Sequence, residues 1–420
     1  MPVLPLQPWM IRPESRRVMT ALGEARFIGG CVRDALLGLP VSDLDIATPH
    51  PPDEVTRRLA AAGVRVIPTG IAHGTVTALS GGRPFEITTL RRDLVCDGRH
   101  AEVAFTDDWQ ADASRRDFTI NALSCTLDGD LFDPFGGLED LAARRLRFIG
   151  CAEDRIREDV LRLLRYFRFF ARYGGEAADA GALAACRALA PLLPGLSGER
   201  VRTELFRLLT GPRPAEVWAL LAGLGIVPHL LPGATQGERL ARLVALDSGL
   251  GLGGAERALP RLAALLDGPA AALPAVAGRL RLSGAERRRL LALAASAAAV
   301  DPAAAPGQLC RQLAALGDEA LFLDSALLSA ATSESWPDCL HSVQAVLAGW
   351  RRARFPLGGL DVLAAGVAPG PEVGRLLAAL RDWWAGHEFG PGRAECCAEL
   401  NYRIAKQRFL VTAAAADGTN

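Results

Sequence analysis

Two aspartates stand one residue apart in the segment SDLDIAT at 42–48. Side chains alternate along a strand, so a strand here projects Asp43 and Asp45 to the same side. Paired carboxylates are hard oxygen ligands suited to Mg²⁺, which also takes ligands from substrate phosphates. A third carboxylate on a neighbouring strand would complete such a site, and Glu86 in FEITTL is the candidate. Two-metal sites of this kind activate an attacking oxygen and stabilise the leaving one. Just upstream lies FIGGCVRDALLG at 27–38. Gly29 and Gly30 let the backbone approach a ligand closely, and the helix that follows aims free N–H groups and its dipole at an anion. Arg33 falls in the first turn of that helix, where a cation is unfavourable unless something anionic faces it. No GK[ST] follows, so this is not a P-loop. Phosphates gripped beside a carboxylate pair point to nucleotidyl transfer, in which a hydroxyl attacks the α-phosphate of a nucleoside triphosphate.

Two arginine-rich segments extend that reading. DASRRDFTINAL places Arg115 and Arg116 between aspartates, before a short apolar run. In REDVLRLLRYFRFFARY, Asp159, Arg162, Arg165, Arg168 and Arg172 recur at spacings of three and four. Wound as one helix they form a polar stripe, with Leu163, Leu164, Phe167 and Phe170 on the opposite side. Four arginines against few acids on one face suit phosphates. Asp159 and Arg162 also make a chemical pair. A carboxylate accepts from an exocyclic amine, and a guanidinium donates to a bare ring nitrogen. Cytosine and adenine present that edge. Uracil and guanine present a carbonyl beside an N–H and meet mismatched partners, so the pair selects C and A.

The elements that would position these residues divide the chain. Up to about residue 150, predicted strands (ARFIGG, LDIAT, and the hairpin GTVTALSGGRPFEITTL) alternate with helices such as CVRDALLG and PDEVTRRLAAAG. From Cys151 onward nearly every segment reads as a Leu/Ala/Arg helix, so the predicted fold class is α+β, with a mixed sheet confined to the N-terminal part. The last residues, AAAADGTN, read as a frayed tail. At 420 residues, two or more domains are expected. Net charge is zero, so bulk charge announces no nucleic acid; the cations are nearly all arginine, Lys406 being the one lysine. Nine cysteines without a CxxC argue against a zinc knuckle or disulfide framework and for reduced thiols in the cytoplasm. No apolar run is long enough for a membrane span, and the N-terminus lacks signal-peptide features.

The ordered set GGCVRDALLG, DLDIAT, IPTGIAHGTVT, FEITTLRRD, RRDFTINAL, DPFGGLEDL, EDVLRLLRYFRF and SGERVRTELFRLL resembles the bacterial class II CCA-adding enzymes, the tRNA nucleotidyltransferases, over roughly residues 20–215. The resemblance implies a nucleotidyltransferase catalytic head at 1–150 and a helical neck at 151–215 that selects the nucleotide. A helical body and tail at 216–420 would hold tRNA. It implies that Asp43 and Asp45 bind the catalytic metal, Mg²⁺. Gly30 and Arg33 would contact the triphosphate and Arg116 the nucleotide. Asp159 and Arg162 would be the protein template for the base, and Arg165 and Arg168 would complete the pocket. RRDLVCDGRHAEVAFTDD sits where the family has a mobile loop that helps switch from C to A addition. CTP, ATP and the tRNA 3′ end are the implied partners. No His-Asp dipeptide occurs, so the phosphohydrolase domain of some relatives is not expected. Bacterial poly(A) polymerases share the head and neck motifs. An enzyme adding only CC or only A, and a non-catalytic RNA-binding protein on a decayed transferase fold, are further alternatives. No feature of the sequence assigns an oligomeric state.

Overall fold

The computed structural model describes residues 2–96, 101–266, 273–332 and 339–417. Two compact units divide the chain at Pro232/Gly233.

The first unit is built on a seven-stranded sheet. Its strands are β1 (Arg26–Ile28), β2 (Asp45–Thr48), β3 (Arg65–Gly70), β4 (Thr75–Ser80) and β5 (Arg83–Thr89). A separate two-stranded ladder pairs β6 (Arg91–Cys96) with β7 (Ala101–Phe105), and the short strands β8 (Ser124–Cys125) and β9 (Leu131–Phe132) complete the set. The order across the large sheet is β3-β4-β5-β2-β1-β8-β9. The predicted hairpin forms because two β-branched runs flank Gly81–Gly82, whose φ values of 57° and 75° suit a tight turn with both central residues left-handed. Val76, Ala78, Phe85 and Ile87 alternate inward and are buried. β2 joins β5 in parallel and β1 in antiparallel register, which makes the sheet mixed. The segment assigned to a mobile loop spans β6 and β7, and its residues 97–100 lie outside the described residues.

The same unit carries the helices Gly30–Leu36, Ala152–Glu158, Leu161–Tyr173 and Gly198–Thr210. Leu163, Leu164, Phe167 and Phe170 are buried, as the helical spacing predicts. The Leu161–Tyr173 helix begins only after Asp159, which sits at the end of the preceding helix with φ −150° and ψ 103°. The single helix drawn from spacing therefore breaks at the aspartate.

The second unit is all helical over its described residues. Of the tail expected to fray, residues 413–417 belong to the helix Arg393–Asp417, and 418–420 lie outside the described residues. One buried ionic network ties four α-helices and one 3₁₀ helix of this unit together. Asp247, fully buried, accepts from Arg257 at 2.6 Å and from Arg261 at 2.9 Å. Arg257 also pairs with Asp324, which Arg289 holds at 2.7 Å. Removing one member of a buried pair strands the other's charge and costs about 3–5 kcal/mol. Asp247→Ala is therefore expected to lower the melting midpoint of the second unit by roughly 10 °C in calorimetry. An unchanged midpoint would mean that the network adds nothing net.

Candidate active site

The carboxylates come together differently from the strand pattern. Asp45 opens β2, whereas Asp43 lies two residues before the strand. The approach to the strand, not alternation within it, brings the two onto one cavity of about 530 Å³, lined also by Gly30, Arg33, Asp34, Arg168 and Arg172. Glu86 stands in register with Asp45 on the parallel neighbour β5. It is solvent-exposed and lines neither this cavity nor the adjoining one. Among the described residues no three His, Cys, Asp or Glu side chains are grouped closely enough to hold a metal by themselves.

The crowding still registers chemically. Burial pushes the Asp45 carboxyl up to about 6, with Glu86 and Asp43 adding to the rise and Arg116 opposing it. An uncompensated cluster of negative charge on hard oxygen donors is what a divalent cation relieves, and substrate phosphates supply the remaining ligands. The raised value has a definite sign. Between about pH 4 and 6 the folded chain keeps a proton that the unfolded chain has lost, so the metal-free fold loses stability as pH rises through that window. Cation binding must expel the same proton. Affinity for the metal alone, titrated calorimetrically, should therefore weaken roughly tenfold per pH unit below about 6. Glu86→Gln should move that break to lower pH. A break that stays in place would remove Glu86 from the electrostatics of the site.

The glycine turn sits over this corner. Gly29 has φ 64°, a left-handed conformation, and a Cβ built on it would meet Arg116 Nη1 at 3.3 Å. Arg33, 6% exposed, already faces an anion, because Asp34 lies 2.8 Å from its guanidinium. It also donates to the Asn121 side chain and, at 2.6 Å, to the Tyr173 hydroxyl.

A second cavity, of about 490 Å³, adjoins the first and shares Gly30, Arg33, Asp45, Arg168 and Phe169 with it. Gly30, Arg33, Arg116, Asp159, Arg162, Arg165 and Arg168 all line it, so the whole nucleotide-binding set read from sequence meets in one place. The arginine stripe is not short of acids, however. Arg162 pairs with Glu158 at 2.6 Å, Arg165 with Asp117 at 2.6 Å and Arg168 with Glu204 at 2.5 Å; Asp34 lies 3.9 Å from Arg172. The counter-charges come from other segments, which counting along one helix face does not reveal. Burial would raise the Asp117 carboxyl, but Arg165 together with hydrogen bonds from Asn121 and the Phe118 N–H holds it below the usual range.

Asp159 and Arg162 are both firmly held. Asp159 accepts from the Leu161 N–H at 3.1 Å and from Arg200 at 2.7 Å. Arg162 donates to the carbonyls of Arg155 and Arg115, each at 3.0 Å. Arg155 donates to the carbonyls of Arg115 and Arg116 as well, so the helix junction is tied to the Arg115–Arg116 backbone. Sequence reasoning missed Asp117, Asn121, Glu204 and Arg200 as members of the site. All four lie inside quoted motifs, RRDFTINAL and SGERVRTELFRLL, and polar residues embedded among apolar ones were the available signal.

A mixed sheet that carries carboxylates beside a glycine turn, backed by a helix lined with arginines, defines a nucleotidyltransferase head of the poly(A) polymerase type. Residues 25–147 match the family described as Poly A polymerase head domain. Residues 179–237 match the one described as Probable RNA and SrmB- binding site of polymerase A. The chain is 34% identical over 385 residues to the mitochondrial CCA tRNA nucleotidyltransferase 1 of Mus musculus, covering 86% of this chain and 82% of that one. It is 42% identical over 224 residues to the CCA-adding enzyme of Geobacillus thermodenitrificans, about half of each chain (53% and 54%). Among solved structures, the Bacillus stearothermophilus CCA-adding enzyme in complex with CTP superposes with a TM-score of 0.68 at 27% identity, over 95% of this chain and 99% of that one. The chain belongs to the CCA tRNA nucleotidyltransferase family.

Proposed function

We propose that this protein builds the 3′ end of tRNA, adding C, C and A from CTP and ATP. The tRNA 3′-hydroxyl oxygen attacks the α-phosphorus, the bond to the β-phosphate oxygen breaks, and diphosphate leaves. Little covalent chemistry falls to the protein in such a transfer, so its residues act by positioning and by charge.

Asp43 and Asp45 hold a divalent cation in this reading, and Glu86 adds negative charge behind them. Mg²⁺ fits the two hard carboxylates and would neutralise charge on the phosphates when bound. The Gly29–Gly30 backbone, Arg33 and Arg116 grip the triphosphate. Asp159 accepts from the exocyclic amine of C or A, and Arg162 donates to the ring nitrogen beside it. Arg165 and Arg168 close the pocket from the same helix. Residues 1–150 act as the catalytic head, 151–215 as the neck, and 216–420 as the body and tail that hold tRNA; the neck lies in the same compact unit as the head. No described helix is long and apolar enough to cross a membrane. We place the protein in the cytoplasm from its scattered cysteines, of which Cys31, Cys125, Cys151, Cys186, Cys310, Cys396 and Cys397 are free thiols.

The observation that carries the reading is that Asp159, Arg162 and Asp45 line one cavity of about 490 Å³, within the size range of small-ligand pockets. The test is incubation of the purified protein with Mg²⁺ and one nucleotide at a time. CTP alone should extend tRNA lacking its end by two residues, and ATP alone should extend tRNA ending in CC by one. A long A tail would make it a poly(A) polymerase. Extension of only one of the two substrates would make it a partial enzyme, and no extension a binding protein.

A further inference from the structure

We infer that Tyr173 is a positioning residue for the nucleotide triphosphate, acting through Arg33. The inference rests on the reading that Arg33 grips the phosphates. Tyr173 closes the Leu161–Tyr173 helix, and Arg33 belongs to the glycine-turn helix of the head. Two contacts join them directly, and a third runs from Tyr173 to Asp34. The Tyr173 hydroxyl accepts from Arg33 Nη2 at 2.6 Å and donates to Asp34 Oδ1 at 2.9 Å. The Arg33 guanidinium also lies over the Tyr173 ring, 4.2 Å from its centroid, with the Phe169 ring one helical turn away at 5.2 Å. Tyr173 is 8% exposed, so water does not replace these bonds.

A hydroxyl in this place does two things that a phenylalanine ring cannot. It fixes the fork of a long side chain, so that nucleotide binding does not have to order it and lose affinity in doing so. It also shares Asp34 Oδ1 with Arg33, whose Nε donates to the same oxygen at 2.9 Å, so Arg33 is not that carboxylate's sole partner. Both effects bear on the phosphates, which every nucleotide shares. Neither touches the edge by which bases differ. Arg33 lines both cavities, so its aim matters where the triphosphate meets the carboxylates.

The test compares Tyr173→Phe, Arg33→Lys and the double variant with the wild-type protein. The readouts are steady-state CTP and ATP addition, inhibition by inorganic tripolyphosphate, and thermal melting. Tyr173→Phe is expected to raise KM for CTP and ATP equally, by about fivefold, the scale of one hydrogen bond. The kcat should stay within about twofold, and selection against UTP and GTP should be unchanged. Inhibition by tripolyphosphate, which has no base, should weaken by the same factor, with melting lowered by no more than about 10 °C. In the Arg33→Lys background, Tyr173→Phe should add nothing. Unchanged KM and unchanged tripolyphosphate inhibition in Tyr173→Phe, with both altered in Arg33→Lys, would overturn the Tyr173 role alone. Altered base selection in Tyr173→Phe would also overturn it, because the hydroxyl would then act on the template. If Arg33→Lys changes neither readout, the phosphate grip by Arg33 fails and the inference falls with it.

Discussion

Asp45→Asn will abolish addition of both C and A while leaving the fold intact or slightly more stable. Asp43→Ala will do the same to activity. Loss of a carboxylate that holds the cation removes several kcal/mol of charge stabilisation on the reacting phosphate, so the rate should fall by roughly three powers of ten or more. The stability half of the prediction follows from the site's own electrostatics. Asp45 is pushed up to about 6 by burial, Glu86 and Asp43, so its ionised form is a burden on the metal-free fold near neutral pH. A neutral amide of the same shape removes that burden. Binding of tRNA should persist, because only the chemical step needs the cation. Single-turnover addition, a tRNA binding titration and thermal melting of the variant separate the three quantities. Activity retained in either variant would sink the two-carboxylate assignment. A large drop in melting temperature for Asp45→Asn would contradict the crowding argument.

Asp159→Ala and Arg162→Ala will change which nucleotide enters, not only how fast. The Asp159 carboxylate accepts one bond from Arg200 and one from the Leu161 N–H, and its remaining lone pairs can accept from an amine. Arg162 spends donors on Glu158 and on two backbone carbonyls, and a guanidinium has five to give. Each hydrogen bond to a charged group is worth roughly 1.5–3 kcal/mol, so discrimination against U and G should shrink by one to two powers of ten. Arg162→Ala should also slow every nucleotide, because it removes one of the two arginine bonds that hold the Arg115 carbonyl to the helix junction. Arg165→Ala, which frees Asp117, should slow all four nucleotides evenly. The comparison is single-turnover addition of CTP, ATP, UTP and GTP to tRNA ending before its first C. Equal losses for every nucleotide in the Asp159 and Arg162 variants would mean that this helix holds phosphate and reads no base.

Much of this architecture was legible because its causes are local. The Gly81–Gly82 turn, the alternation around Phe85 and Ile87, and the apolar face of Leu163, Phe167 and Phe170 are each set by neighbours in sequence. That Glu86 stands on a strand neighbouring that of Asp45 was anticipated from strand pattern; the parallel register was not. What escaped was non-local or sat at an element's edge. Asp43 and Asp159 fit the spacing of a strand and a helix, yet both lie two residues outside, where spacing says nothing about the bend that follows. The arginine stripe looked unbalanced because Asp34, Asp117 and Glu204 reach it from other segments. Tyr173 drew no reading from the sequence; its hydroxyl gains meaning from two residues about 140 positions earlier.

The central claim is that a pocket made of protein chooses C and A and that three additions complete the tRNA. The most direct measurement supplies all four nucleoside triphosphates at equal concentration, with Mg²⁺, to tRNA lacking its 3′ end and sequences the ends produced. The account predicts CCA on nearly every molecule, with U and G rare and no further extension. Ends rich in U or G, or A tracts of varied length, would contradict it.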